Sequence, residues 1–199
     1  FLGEDTTTAA QADRVTDTYV ELLNRLSAEG LTGEVEVSIK LSALGALLAG
    51  GHELALDNAR VICAAADRVG TTVTVDAEDH TTTDATLRTV AKLREQYPWV
   101  GTVLQSMLYR TTTDCLQQRD PGNRVRLCKG AYAEPSEVAH QAKSAVDRNY
   151  RRCATVLLEG DGRPLFATHY DAMIGHVLDE VSRLDRAVDS FELQMLLGI

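Results

Sequence analysis

Short apolar runs recur along the chain, and longer stretches with apolar residues at helical spacing separate them. Six of the short runs have the length of β-strands, and the first two of them also alternate as strands do. They lie at 35–41, 73–75, 100–104, 125–128, 165–167 and 191–193. Four intervening stretches place apolar side chains on one helical face, at 15–26, 59–69, 139–157 and 173–184. This alternation predicts parallel strands joined by right-handed helical crossovers.

The residues that begin and end these elements, and the number of strands, favour a β/α barrel. Gly70 and Gly160 are predicted to end helices, and Asp171 is a predicted N-cap. An eight-stranded β/α barrel typically needs about 250 residues. The 199 residues therefore predict a single, incomplete barrel domain that lacks the start of strand 1 and the eighth βα unit. The alternative, an open doubly wound sheet, usually carries a G-x-G-x-x-G turn after its first strand, which this sequence lacks.

Composition and charge narrow the class of protein. The formal net charge of −9 argues against binding to a nucleic-acid backbone, which clustered Lys and Arg would drive. No apolar run approaches the roughly 20 residues of a membrane-spanning helix. The four cysteines have no C-x-x-C spacing, which predicts reduced thiols in a cytoplasmic protein. No His-x-His or His-Glu-x-x-His motif occurs, so no metal site is expected.

Polar side chains stand at or just after the end of each predicted strand. Because ligands gather at the carboxyl ends of parallel strands, these residues predict a site. They are Lys40, Asp76, Gln105, Arg126, Lys129, Thr168, His169 and Gln194. Taken singly, each has a second interpretation. Lys40 could face water, hold a carboxylate or form a Schiff base, and Gln105 could satisfy buried backbone groups or read the edge of a heterocycle.

Six segments together resemble the proline dehydrogenase family, in the order that the family has them. The two most specific are IKLSALG (39–45) and VRLCKGAY (125–132). The full set is VSIKLSALG (37–45), VTVDAEDHTTTDATL (73–87), VLQSMLYRT (103–111), VRLCKGAYAEP (125–135), FATHYDAMI (166–174) and FELQMLLGI (191–199). Several matches in order are much stronger than one short motif.

The resemblance implies a fold, an activity and a set of partners. The fold is an α/β, distorted (β/α)8 TIM-type barrel. The activity is the oxidation of L-proline to Δ1-pyrroline-5-carboxylate by hydride transfer to FAD, the first step of proline catabolism. The implied partners are L-proline, a quinone or another electron acceptor, and a pyrroline-5-carboxylate dehydrogenase, with no nucleic acid. A quinone acceptor implies contact with the inner face of the membrane.

The resemblance also implies roles for individual residues. Asp76 and Arg126 match catalytic positions, and Lys40 matches the position that contacts the carboxylate of proline. A cation at Arg126 would stabilise negative charge on a ring that accepts hydride. The implied FAD-contact residues are Ala77, Gln105, Arg126, Lys129, Gly130, Ala131, Tyr132, Thr168 and His169.

The ends of the chain carry a further expectation. Residues 1–4 resemble the end of the first barrel strand, and the family places a paired-arginine motif for the substrate carboxylate beyond the eighth strand. We therefore expect low proline turnover from residues 1–199 alone. Three alternatives stay open: a Lys40-dependent Schiff-base aldolase or lyase on the same barrel, a flavin barrel of the folate reductase type, and a non-catalytic binding module.

Overall fold

The computed structural model of the chain describes residues 6–198. Six helices and six strands alternate in these residues. The helices are α1 Ala9–Ala28, α2 Gly51–Val69, α3 Thr83–Arg94, α4 Thr111–Gln118, α5 Lys143–Leu158 and α6 Asp171–Arg183. The strands are β1 Val37–Ile39, β2 Val73–Val75, β3 Gly101–Gln105, β4 Arg124–Cys128, β5 Arg163–Ala167 and β6 Glu192–Gln194. All six predicted strands are confirmed. The expected strand remnant at residues 1–2 lies outside the described residues.

The order of the strands identifies the architecture. The sheet runs β1-β2-β3-β4-β5-β6, in the order of the chain. The β1–β2, β4–β5 and β5–β6 pairs are parallel, with Val37 opposite Val73 and Arg126 opposite Leu165. In a doubly wound sheet the order of the strands reverses at a switch point, and the order seen here has no such reversal. The fold is therefore an α/β fold of the TIM-barrel type, as predicted.

The chain divides into two compact units. The first unit comprises the chain up to Glu78 together with Thr82–Gly101. The second unit comprises Asp79–Thr81 together with the chain from Thr102 onwards. In the first unit, α1 packs on α2 over a fully buried core that contains Ile39 and Ile62. In the second unit, the largest fully buried side chains are contributed by β4, β5 and the helices that follow them: Leu127, Tyr150, Leu157, Leu158, Leu165, Phe166 and Met173.

Local signals explain where most helices begin and end. Thr8 and Gln11 form a reciprocal capping box at the start of α1, which satisfies backbone donors that the helix leaves free. Gly70 ends α2 with φ of +75°, as predicted, because glycine adopts this conformation without strain. Helix α5 ends at Leu158, two residues before the predicted stop at Gly160.

Three local predictions are wrong. Helix α5 begins at Lys143 rather than near 139, because Ala139 bridges to Leu108 and the His140 amide donates to the Met107 carbonyl at 2.8 Å. Asp171 is the first residue of α6 and not its N-cap. Leu22, which the helical pattern places on the buried face of α1, is 42% exposed.

Among the helices of residues 6–198, none is long and apolar enough to cross a bilayer.

Candidate active site

Lys40 and Asp76 stand at the carboxyl ends of neighbouring strands in the first unit. Each follows the last residue of its strand, β1 or β2, and the Asp76 amide donates to the Ile39 carbonyl at 2.9 Å. Tyr19 on α1 donates its hydroxyl to the Ser38 carbonyl at 2.8 Å. Burial raises the pKa of Tyr19, the negative charge of Asp76 raises it further, and the positive charge of Lys40 opposes both. A lysine, a carboxylate and a phenol therefore share one electrostatic environment.

Tyr19 was not predicted as a site residue, because the apolar pattern indicated only that it lies on a helical stripe. Its ring packs against the core of the first unit while its hydroxyl reaches the end of β1. The only signal in the sequence is the residue type, because a tyrosine on a buried face needs a partner for its hydroxyl.

The acidic residues after β2 divide between two roles. Ala77 is half-buried beside Asp76. The Glu78 carboxylate accepts from the Ser42 amide at 3.0 Å and also contacts the Ser42 hydroxyl. This contact ties the loop after β2 to the turn after β1. Asp79 accepts from the Thr81 amide at 2.8 Å, which is a local turn contact. Glu78 thus links two loops, whereas Asp79 stabilises a turn within one loop.

Gln105 and Arg126 belong to the second unit. Gln105 ends β3 and is only 4% exposed. Arg126 lies in β4, where its Nε donates to the Gln194 Oε1 at 2.6 Å. The Gln194 amide in turn donates to Glu192 at 2.9 Å. A guanidinium held at Nε keeps one orientation, so β6 positions the cation that β4 presents.

Lys129, immediately after β4, lies between a carboxylate and a ring. Its Nζ is 2.6 Å from Asp147 Oδ1 on α5 and 4.4 Å from the centre of the Tyr170 ring. Lys143 reaches the same ring at 5.2 Å. Tyr170 follows the Ala-Thr-His triplet, and its ring contacts were not predicted. These contacts fix the direction of the Lys129 side chain at the start of residues 129–132, which we call the KGAY segment.

Gly130 gives the KGAY segment its path. Its φ is +107°, and a Cβ at this position would lie 2.5 Å from the sulfur of Met107. Only glycine fits both the backbone conformation and the close approach. Ala131 and Tyr132, which complete the segment, are exposed.

Thr168 and His169 follow β5, and they contact β6 and the residues just after it. The Thr168 amide donates to the Gln194 carbonyl at 3.1 Å, and its hydroxyl accepts from the Tyr170 amide at 3.1 Å. His169 Nε2 accepts from the Leu196 amide at 2.9 Å. Gln194 thus joins Thr168 to Arg126 within the second unit. The structure brings Lys40 and Asp76 together in one unit, and Arg126 and Thr168 in the other.

Comparisons with known proteins agree with the motifs. The sequence model of the proline dehydrogenase family matches residues 1–199. The chain is 38% identical over 202 residues to a proline dehydrogenase of Deinococcus radiodurans and 31% identical over 199 residues to proline dehydrogenase 1 of Bacillus subtilis. It is covered completely in both cases and spans 64% and 65% of the two relatives.

Solved structures show the same fold. A crystal structure of proline utilization A from Bdellovibrio bacteriovorus, inactivated by N-propargylglycine, superposes with a TM-score of 0.86 at 23% identity. The match covers all of this chain and 25% of the chain in that crystal structure. A mutant of proline utilization A from Bradyrhizobium japonicum superposes with a TM-score of 0.85 at 24% identity, and the match covers 23% of that mutant's chain. By its sequence, this chain belongs to the proline dehydrogenase family.

Proposed function

We propose that the chain catalyses the FAD-dependent oxidation of L-proline to Δ1-pyrroline-5-carboxylate, as part of one catalytic domain. One observation carries the proposal beyond family membership. Arg126 is a half-buried cation whose orientation is set by Gln194, at a position that matches the family's catalytic arginine. A fixed cation of this kind stabilises negative charge as it develops on an electron acceptor.

The residues of the second unit fit FAD. The cations of Arg126 and Lys129 suit an anionic diphosphate and a ring that becomes negative on reduction. The Gln105 side chain offers both a donor and an acceptor to a heterocycle. Gly130 lets the backbone pass against Met107 where any side chain would collide. Within this unit, the residues that would hold FAD are Gln105, Arg126, Lys129, Gly130, Ala131, Tyr132, Thr168 and His169. Ala77, of the first unit, is a further FAD contact that the family resemblance implies. When bound, FAD would supply the acceptor for the hydride.

The residues of the first unit suit a small amino acid. The Lys40 ammonium would bind the carboxylate of proline as a point charge. Asp76 would hold cationic groups in place. Hydride leaves the ring carbon next to nitrogen, and the amine must be neutral for its electron pair to assist. The task of the protein is therefore to orient the substrate and to favour its neutral amine.

The proposed chemistry implies further partners. The electrons must leave for a quinone or another acceptor, and a quinone would bring the protein to the inner face of the membrane. The product is an imine in equilibrium with an aldehyde, so an aldehyde-oxidising enzyme such as a pyrroline-5-carboxylate dehydrogenase would consume it.

The proposal is tested by identifying the product. The chain is supplied with FAD, L-proline and an artificial dye acceptor, and the pyrroline is trapped with an aromatic amino-aldehyde. We expect trapped product with L-proline, and a KM for proline raised about tenfold or more in Lys40→Ala, as expected when a charged hydrogen bond is lost. Lys92→Ala is the matched control, because Lys92 is an exposed lysine of the same unit that pairs with Glu53 at 3.2 Å.

Two results would contradict the proposal. The first is a folded chain that releases no pyrroline at saturating proline. The second is a borohydride-stable mass increase on Lys40 with a carbonyl compound, which would favour the Schiff-base aldolase instead.

A further inference from the structure

Glu134 is a buried carboxylate that the activity does not yet use. Its side chain is only 4% exposed, and it follows the KGAY segment by two residues. Its Oε1 accepts from the backbone amide of His80 at 2.8 Å, and its Oε2 contacts Nδ1 of the same residue. Both oxygens of one carboxylate therefore bind one residue, which lies 54 positions earlier in the sequence.

The contact anchors one end of the KGAY segment. His80 lies in the loop between β2 and α3, and Glu134 lies in the loop after β4; both belong to the second unit. The Glu134 carbonyl also accepts from the Gln141 side chain at 3.2 Å. At the other end, Lys129 is fixed by Asp147 at 2.6 Å. The segment is thus a short loop held at both ends by a charged side chain.

The energetics favour a role in positioning. Burying a carboxylate is costly unless hydrogen bonds compensate, and an apolar contact would hold a loop at lower cost. A carboxylate that accepts from both an amide and an imidazole fixes distance and direction together. Glu134 also lines a cavity of about 270 Å³, together with Tyr132 and Met107. The contact therefore shapes the wall of an open space beside the segment.

We propose that His80 and Glu134 are positioning residues that hold the KGAY segment in the conformation that binds FAD. This inference rests on the proposed function, because it assumes that the segment contacts FAD. Neither residue needs to touch the cofactor. Their effect passes through the backbone of residues 130–132, whose conformation decides how well the segment can meet a ligand.

The two contacts of Glu134 allow a graded test. Glu134→Ala removes both contacts, and we expect the Kd for FAD to rise about tenfold, the size expected for one charged hydrogen bond. His80→Ala keeps the backbone contact, so its effect should be smaller. Glu134→Gln still accepts from the amide and can donate to Nδ1, so it should recover most of the affinity. The double variant should bind FAD no more weakly than Glu134→Ala, since the imidazole then has no carboxylate to contact.

The readouts separate positioning from general stability. The Kd is measured from the fluorescence of added FAD, and the visible circular dichroism of the bound flavin reports its surroundings. Amide hydrogen exchange at residues 130–132 is followed without FAD, with β5 as the internal reference. His176→Ala is the matched control: its Nε2 contacts the Arg151 carbonyl at 3.1 Å, away from the KGAY segment.

The outcomes distinguish this inference from the proposed function. Faster exchange at 130–132, weaker FAD binding and recovery in Glu134→Gln support it. If the unaltered chain binds FAD and oxidises proline while Glu134→Ala and His80→Ala bind equally well, the inference fails and the function stands. If the unaltered chain binds no FAD, the proposed function fails and this inference with it. Should Glu134→Ala not fold, His80→Ala decides the matter, and a Kd equal to that of the unaltered chain would overturn the inference.

Discussion

Replacing Gly130 by alanine perturbs the KGAY segment in two separable ways. The backbone at this position has φ of +107°, which residues with a side chain rarely adopt. The new Cβ would also lie 2.5 Å from Sδ and 2.7 Å from Cγ and Cε of Met107. Met107 is itself only 7% exposed, so its side chain has little room to withdraw.

Each effect has a characteristic size. Holding a non-glycine residue in such a conformation costs about 1–3 kcal/mol. Overpacking a buried position costs a further 1–3 kcal/mol, roughly, and less where a flexible methionine can adjust. We therefore expect Gly130→Ala to lower the free energy of unfolding by roughly 3 kcal/mol. Because residues 129–132 are the proposed FAD contacts, the affinity for FAD should fall as well.

Two other glycines provide matched controls. Gly122 has φ of +82°, and a Cβ added there would have no atom within 4 Å, so Gly122→Ala reports the backbone cost alone. Gly175 lies within α6 in open space, and Gly175→Ala should stabilise the chain by up to about 1 kcal/mol. In a chain that already carries Met107→Ala, adding Gly130→Ala should cost only the backbone part, because the overlap with Met107 is then absent.

Urea unfolding followed by circular dichroism measures these differences, with FAD titration in parallel. If Gly130→Ala were as stable as the unaltered chain, both the conformation and the contact with Met107 would be wrong. If Gly122→Ala lost as much stability as Gly130→Ala, the overlap with Met107 would contribute nothing.

Three further predictions concern separate parts of the chain. Arg126→Met should lower the rate of flavin reduction by proline about 10²- to 10³-fold, measured by rapid mixing, because it would remove the fixed charge that we propose lies at the acceptor. A loss under threefold would refute this role. Burial raises the pKa of Cys63 from 9.0 to about 12, so the stability it contributes is complete below pH 9 and is lost as pH rises towards 12. The advantage in unfolding free energy of the unaltered chain over Cys63→Ala should shrink by about 1.4 kcal/mol at pH 10, and an advantage that stays constant with pH would contradict the assignment. Arg186→Lys should lower the free energy of unfolding in urea by about 2 kcal/mol. The Arg186 guanidinium donates to the carbonyls of Leu158 at 2.8 Å and Gly162 at 3.0 Å, and an ammonium cannot reach both. An unchanged unfolding midpoint would show that these two hydrogen bonds are dispensable.

Much of the fold follows from short-range patterns. The apolar pattern located all six strands from short apolar runs, although β3 is buried at every position and does not alternate. It did not identify α3 or α4, whose threonine-rich sequences carry a weak apolar stripe. It also extended α5 backwards over 139–142, because periodicity cannot detect that this stretch is bound to residues 107–108.

The contacts of the candidate site residues could not be predicted from the sequence. The family motifs point to Arg126 and Lys129, and both lie at or just after β4. The partner of Arg126 is distant in sequence, since Gln194 lies 68 residues away, and the same holds for Glu134, whose partner His80 lies 54 residues away. Such contacts depend on how loops from different strands meet, and no local pattern in one sequence encodes that.

The central claim is that this chain transfers hydride from L-proline to FAD. The visible absorption of flavin bound to the chain tests that claim most directly. The chain is incubated with FAD, desalted, made anaerobic and mixed with saturating L-proline. Bleaching of the flavin is a single event per molecule, so it requires no rapid turnover. We predict that yellow flavin remains after desalting and bleaches with L-proline. A folded chain that retains no flavin, or retained flavin whose oxidised spectrum L-proline leaves unchanged, would contradict the account.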